Sequence, residues 1–275
     1  MTAHPEWQNL VLDARRDGLP IALMFDYDGT LAPIESHPKK AILASSLRED
    51  IRALAAIPGV TVGVISGRSL DDLSAMIGLE GVYLAGSSGA ELDLAGLRIT
   101  SPDAENILAA LTRVSLALGS RIPSFPGVWI ESKPVGMTVH YRGAEHQTIL
   151  GLREFFGALM GMHNTLHYLD ICEALEVTSA TGWDKGTAVM QILTRLPTDV
   201  FPVFVGDSAN DEPAMRVVND LGGVTVGVGA TAPIFAKYRI DLPSQLHLAL
   251  SELRSKFTQL ESLISEGYDQ PRLVP

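Results

Sequence analysis

The run Pro20-Ile21-Ala22-Leu23-Met24-Phe25-Asp26-Tyr27-Asp28-Gly29-Thr30 decides how the rest of the chain reads. Its first six residues are all apolar, without the alternation of a half-exposed strand, and they stop at an Asp-Gly turn signal. A run this short and uniform predicts a strand buried on both faces, as in a parallel sheet.

Working outward, similar runs occur at Val60 to Ile65, Val82 to Ala85, Pro202 to Val205 and Val224 to Val228. Between them, Leu47 to Ala56, Leu70 to Ile77, Lys185 to Leu196 and Glu212 to Val218 carry apolar residues at helical spacing. Strands alternating with helices predict an α/β fold whose core is a Rossmann-like parallel sheet with both faces covered. The middle of the chain follows another pattern. Helical stretches at Ala104 to Leu118 and Ala144 to Leu159 enclose strand-like runs at Gly127 to Glu131 and Gly136 to Tyr141, joined through Ser132-Lys133-Pro134-Val135. Two further strand-like runs follow, Leu166 to Ile171 and Ala174 to Thr178. That order suits an α+β unit inserted into the parallel domain. The expected division is residues 1–101 as the first part of the core domain, 102–180 as the insertion and 181–275 as the second part of the core. Leu246 to Ile264 is expected to be helical, and Glu266 to Pro275 a loose tail.

The 275 residues are 46% hydrophobic and 19% charged, which suits a soluble globular protein. A net charge of -11 without a Lys/Arg cluster argues against nucleic acid as a partner. An anionic substrate would then need a localised cationic site, which a divalent metal supplies. Cys172 is the single cysteine, so neither an intrachain disulfide nor a cysteine-based zinc site can form. No apolar run reaches membrane-spanning length and Met1 to Pro5 lacks a signal pattern, so a cytoplasmic location without membrane partners is the expectation.

Four chemical signals sit at or just after expected strand ends, where open parallel sheets bind ligands. Asp26 and Asp28, one residue apart, suit an attacking group and a proton carrier, although an Asp-Gly turn with a solvated carboxylate reads the same way. Ile65-Ser66-Gly67-Arg68-Ser69 offers a hydroxyl and backbone N–H groups to a phosphate oxygen at a helix start; Ser66 or Ser69 as a plain helix cap is the alternative. Lys185, in Trp183-Asp184-Lys185-Gly186-Thr187, opens a helix whose macrodipole it opposes, so an anion beside it would explain its place. Asp207, Asn210 and Asp211 are oxygen-rich groups spaced for a hard cation such as Mg2+.

In this order and at these positions, the four signals resemble the motifs of the haloacid dehalogenase superfamily, and the inserted unit resembles its α+β cap. Within that superfamily the chain is similar to the trehalose-6-phosphate phosphatases. The similarity rests on Asp26-Tyr27-Asp28-Gly29-Thr30-Leu31-Ala32-Pro33-Ile34, Ala85-Gly86-Ser87-Ser88-Gly89-Ala90-Glu91, Glu131-Ser132-Lys133, Val139-His140-Tyr141-Arg142 and Trp183-Asp184-Lys185-Gly186. The resemblance implies a magnesium-dependent sugar phosphatase, with Asp26 as nucleophile and Asp28 as acid and base. It implies Ser66, Gly67 and Lys185 as phosphate contacts, and Glu131, Lys133, Arg142 and Glu176 as substrate contacts from the cap. Magnesium would be bound by Asp26, the backbone carbonyl of Asp28 and Asp207, with Asn210 and Asp211 nearby. Trehalose 6-phosphate is the expected substrate and a monomer the expected state. Gly206-Asp207-Ser208-Ala209-Asn210-Asp211-Glu212 is also similar to sucrose-phosphate phosphatases. Sucrose phosphate, a glycosyl-phosphoglycerate or glucosylglycerol phosphate is therefore the alternative substrate.

Two rival classes are weighed against this. Gly227-Val228-Gly229-Ala230-Thr231-Ala232 formally fits a dinucleotide fingerprint, but Pro233 follows at once and too little chain remains for the rest of that unit. A sugar-phosphate-binding module on the same fold is possible in principle, but a binder has no need of a nucleophile.

Overall fold

The computed structural model describes residues 6–35, 37–171, 173–180 and 183–268. Strand β1 (Ile21–Phe25) is buried at every position, as its uniform apolarity demands. Its neighbours are both parallel: β2 (Val60–Ile65) on one side and β10 (Phe201–Gly206) on the other, with Ile21 opposite Val60 and Phe201. Side chains alternate between the two faces. Ile21, Leu23 and Phe25 join a cluster with α1 (Glu6–Arg16), α2 (Ser45–Ala55), α3 (Leu70–Ile77) and α8 (Pro243–Tyr268). Ala22 and Met24 point the other way, into a cluster with α6 (Lys185–Leu193) and α7 (Glu212–Asp220).

The full sheet has eight strands in the order β12-β11-β10-β1-β2-β3-β4-β5, where β3 is Tyr83–Gly86, β4 Glu91–Leu94, β5 Leu97–Thr100, β11 Val224–Val228 and β12 Tyr238–Ile240. The chain leaves β1 toward β2 and β3, then returns to β10 on the opposite side and continues outward. That reversal opens a crevice beyond the carboxyl ends of β1 and β10. Asp26 and Asp207 lie there, each directly after its strand.

The second sheet has four antiparallel strands, β6 (Trp129–Lys133), β7 (Gly136–His140), β9 (Ala174–Ser179) and β8 (Leu166–Ile171), in that order. Helices α4 (Ala104–Arg121) and α5 (His146–Met160) contribute Ile107, Val114, Leu152 and Phe156 to one core with Met137, Val139, Leu175 and Val177 of the sheet. The period of two then turns the alternate residues outward. Trp129 pairs with His140, Glu131 with Thr138, and Thr138 with Glu176, so these share the face away from the helices. All five line the cleft between the two sheets.

Several elements go beyond the sequence reading. Helix α1 is short and polar enough to escape it, yet it buries Trp7, Val11 and Leu12. The β4–β5 hairpin turns at Ala95-Gly96, both with positive φ (55° and 91°), where an alanine hides the usual Asn-Gly signal. Helix α8 begins at Pro243 and runs to Tyr268, so 266–268 continue the helix rather than beginning a tail; the rest of the expected tail lies outside the described residues, as does Cys172. The Gly227 to Ala232 stretch has another use: Gly227 is part of β11, and the Thr231 hydroxyl donates to the Asp207 carbonyl at 3.0 Å. Among the described residues no helix is long and apolar enough to cross a membrane.

Candidate active site

Asp26 and Asp28 face the cleft while Tyr27, between them, is turned into the core, where its hydroxyl donates to the Ala41 carbonyl at 2.8 Å. Burial raises the Tyr27 pKa to about 12, so it stays a neutral donor. The loop then curls tightly, with the Leu31 N–H donating to the Tyr27 carbonyl (3.0 Å) and the Gly29 N–H to that of Ala32 (2.7 Å). Gly29 has φ +90°, and a Cβ there would stand 2.2 Å from the Asp207 Oδ2. Only glycine lets the two loops approach this closely.

The deepest part of the site is a knot of charge. Lys185 is 1% exposed, and its Nζ donates to Asp26 Oδ1 at 2.6 Å and to Asp211 Oδ1 at 2.7 Å. This explains a lysine at a helix start: Asp184 caps α6 through the Thr187 N–H (2.8 Å), and Lys185 turns back to two carboxylates. Burial pulls the ammonium pKa down, but the charges of Asp211 and Asp26 outweigh it and hold Lys185 protonated. Asp211 is fully engaged, because its Oδ2 also accepts from the N–H groups of Asp207 (2.9 Å) and Ser208 (3.0 Å). It shapes the 207–211 loop as much as it offers charge.

Asp26, Asp207 and Asp211 each bring an oxygen within 4.8 Å of the others, and all three are buried. Burial raises the Asp26 carboxyl well above its ordinary range; Lys185 opposes this, and Asp211 and Asp207 add to it. Burial and then Asp211 push Asp207 up to about 7. Three carboxylates face one ammonium, and the Asp26 Oδ2 is buried without a hydrogen-bond partner. A divalent cation fits this donor set. It would supply the missing positive charge and a partner for that oxygen. Asn210, expected beside such a cation, donates its amide N–H to Glu176 at 3.2 Å and accepts from the Ser208 hydroxyl at 2.9 Å.

Asp28 makes a two-pronged ion pair, with Arg68 Nε donating to Oδ2 at 2.8 Å and Nη2 to Oδ1 at 2.7 Å. Arg68 also bonds Asp72 and the Pro38 carbonyl, each at 2.7 Å, and is 5% exposed. Ser66 is buried, faces the cleft and accepts from the Arg68 N–H at 3.2 Å. The cap role falls to Ser69, whose hydroxyl accepts from the Asp72 N–H at the start of α3.

The expected cap contacts also reach this cleft. Glu131 Oε2 meets His140 Nε2 at 2.8 Å; burial raises its pKa, but the His140 bond and the Lys133 charge carry it below the ordinary value. Lys133 Nζ donates to the Gly67 carbonyl at 2.5 Å and stands 4.0 Å from Glu176. Glu176 accepts from the Ser88 hydroxyl at 2.6 Å and from the Asn210 amide at 3.2 Å. Burial pushes its pKa up, and Lys133 with these bonds brings it below normal. Arg142 donates to the Glu35 carbonyl at 2.7 Å and pairs with Glu173 at 3.0 Å. Gly67, expected to face a phosphate through its backbone, meets the cap through its carbonyl.

The cleft has lining residues that sequence reasoning did not single out: Arg68, Trp129 and His140; Ser88 stands behind it, bonded to Glu176. Arg68 and His140 stood inside quoted motifs, but their partners are 40 and 9 residues away. Trp129 stacks on His140, with ring centroids 3.9 Å apart.

Known proteins resemble this chain in sequence and in fold. A family model described as trehalose-phosphatase matches residues 24–244. A trehalose-phosphate phosphatase of Mycobacterium tuberculosis is 32% identical over 239 residues, covering 82% of this chain, and trehalose-phosphate phosphatase B of Arabidopsis thaliana is 27% identical over 86% of it. The chain spans 59% of the length of the mycobacterial relative. Among solved structures, the C-terminal domain of a Candida albicans trehalose-6-phosphate phosphatase superposes with a TM-score of 0.80 at 22% identity, covering 92% of this chain and 98% of that one. A haloacid dehalogenase-like hydrolase from Bacteroides thetaiotaomicron gives 0.60 at 12%, covering 85% and 99%. At those identities the structures speak for the fold alone, which is that of the haloacid dehalogenase-type hydrolases. The match across most of the chain, joined to a relative at 32%, places it more narrowly: this chain belongs to the trehalose-phosphatase family.

Proposed function

We propose that this chain is a magnesium-dependent phosphatase that hydrolyses trehalose 6-phosphate through a phosphorylated Asp26, with residues 102–180 acting as its cap. One observation carries the reading. Asp26 stands at the switch point of the sheet with one oxygen held by Lys185 and the other buried without a partner, beside Asp207. A carboxylate so placed is costly unless it has a task.

In the first step an Asp26 oxygen attacks phosphorus, and the bond from phosphorus to the sugar oxygen breaks. Asp28 delivers a proton to that departing oxygen; both its oxygens accept from Arg68, so one of those two bonds opens when Asp28 carries the proton. In the second step Asp28 takes a proton from water, which displaces Asp26 and frees inorganic phosphate. Lys185 and the Ser66 hydroxyl neutralise the phosphoryl oxygens as charge moves across them. Asp26, Asp207 and the backbone carbonyl of Asp28 would hold the magnesium, which would supply the positive charge that three carboxylates and one lysine lack. Asp211 keeps Lys185 and the 207–208 backbone in position.

The choice of sugar is supported by the family match and by the cap face, where Glu131, Lys133, Arg142 and Glu176 border the same cleft as Asp26. Phosphate release with magnesium, compared as kcat/KM across trehalose 6-phosphate, sucrose 6-phosphate, glucosylglycerol phosphate and a glycosyl-phosphoglycerate, tests it. Trehalose 6-phosphate should lead the panel, and no preference among the sugars would overturn the substrate. Asp26→Asn should lower kcat by about 10⁴-fold or more on every ester while the protein stays folded. Normal turnover by that variant would overturn the mechanism.

A further inference from the structure

Glu176 is an acid on a cap strand, yet it is buried against the core. Three core loops meet it. Gly67, after β2, lacks the Cβ that would stand 2.6 Å from Glu176 Oε1. Ser88, after β3, donates its hydroxyl to that same oxygen at 2.6 Å. Asn210, after β10, donates to Oε2 at 3.2 Å. Lys133, the neighbour of Glu176 on the cap face, adds its bond to the Gly67 carbonyl.

The backbone at Ser88 is unusual. Ser87 and Ser88 have φ of 48° and 54°, a left-handed pair that strains a serine backbone. Their N–H groups donate to the carbonyls of Arg68 (2.5 Å) and Ser66 (2.9 Å), which pins the turn onto the phosphate-side loop and aims the Ser88 hydroxyl at the cap. Asn210, for its part, directly precedes Asp211, the carboxylate that holds Lys185. Glu176 is thus tied to two segments whose other contacts lead to Ser66 and Lys185.

We propose that Ser88 is a positioning residue: with Asn210 and the bare Gly67 it forms a socket in the core that seats Glu176, bringing the cap's sugar-facing side chains into register with Asp26. The proposal rests on the reading of Glu176 as a sugar contact in the preceding section. Ser88 touches no reacting atom and acts through Glu176 alone.

The test compares Ser88→Ala, Ser88→Asn, Glu176→Ala and the double variant Ser88→Ala/Glu176→Ala. Each is assayed with magnesium on trehalose 6-phosphate and on p-nitrophenyl phosphate, which is too small to need the cap. Loss of a hydrogen bond to a charged group should lower kcat/KM for the sugar ester about tenfold in Ser88→Ala, mostly through KM. The small ester should change less than about twofold. Asparagine tolerates the left-handed backbone and keeps a donor, so Ser88→Asn should recover most of the loss. In the double variant the serine change should add nothing to the loss from Glu176→Ala. Equal losses on both esters, or additive losses in the double variant, would overturn the proposal.

Hydrogen exchange of the unliganded protein separates this from the choice of substrate. Exchange across 174–179 should quicken in Ser88→Ala, and exchange across 87–91 should quicken in Glu176→Ala. No change in either segment sinks the socket even if the sugar is right. Faster exchange in an enzyme with no preference for trehalose 6-phosphate keeps the socket and overturns the substrate. Should Ser88→Ala not fold, Ser88→Asn and Glu176→Ala carry the same comparison from the two sides.

Discussion

Lys185 and Lys133 are cations on opposite walls of one cleft, and they are held in different ways. Lys185 has two carboxylate partners, at 2.6 and 2.7 Å, all within the core. Lys133 belongs to the cap sheet, donates to a backbone carbonyl of the core, and reaches its nearest carboxylate only at 4.0 Å. The core wall is therefore assembled by its own fold, with buried charges that fix one another. The cap wall is completed only by contact with the core. Under the proposed function, chemistry common to every substrate suits the first arrangement, and recognition that must admit and release a sugar suits the second.

The sharpest way to break this contrast is Lys185→Met. It should cut phosphate release by about 10³-fold on sugar and small esters alike, since the developing phosphoryl charge loses its fixed cation. It should also lower stability by about 3–5 kcal/mol, because Asp26 and Asp211 stay buried without their partner. Parallel kinetics and urea unfolding check both, and a variant that loses only the sugar ester would place Lys185 with the cap.

The acidic knot also predicts a dependence on pH. Asp207 has a folded pKa raised to about 7 from an ordinary 3.8, so the unfolded chain gives up this proton first. Metal-free protein should lose stability as pH rises from about 4 to about 7, by on the order of a few kcal/mol, with the penalty complete above that window. Asp26 acts in the same direction. Magnesium should raise the melting temperature more at pH 8 than at pH 5, and thermal unfolding at both values with and without the metal checks the sign.

On the other wall, Lys133→Met should lower kcat/KM for trehalose 6-phosphate by about 10- to 100-fold while p-nitrophenyl phosphate stays within about twofold. Equal loss on the two esters would erase the division of labour. The smallest effect is expected at Ser69, beside the site but outside its chemistry. Ser69→Ala should cost about 1 kcal/mol from loss of the α3 cap and leave kcat/KM unchanged, as unfolding and kinetics together can check.

How much of this was legible in the sequence depended on the distance between partners. Asp26, Ser66, Lys185 and Asp207 each announced themselves through local context: a strand end, a helix start, or a lysine that its own helix would disfavour. Arg68 was overlooked although it lay inside a quoted motif, because its importance comes from Asp28, and nothing near Arg68 reveals that pair. Ser88 also lay inside a quoted motif, at a position where the chain departs from the usual family residue, but its left-handed backbone and its bond to Glu176 appear only in the fold. The β4–β5 hairpin was missed where alanine replaced the usual turn residue, and α1 because its apolar stripe is narrow.

Sequence alone determined that a parallel sheet would form and which carboxylates would stand at its strand ends, because burial on both faces and the period of two are local consequences of residue type. Tertiary structure alone decided that Asp211 would brace Lys185, that Asn210 would turn to the cap, and that Gly29 would let Asp207 close on the first loop. Those outcomes depend on distances between segments far apart along the chain, which no local pattern encodes.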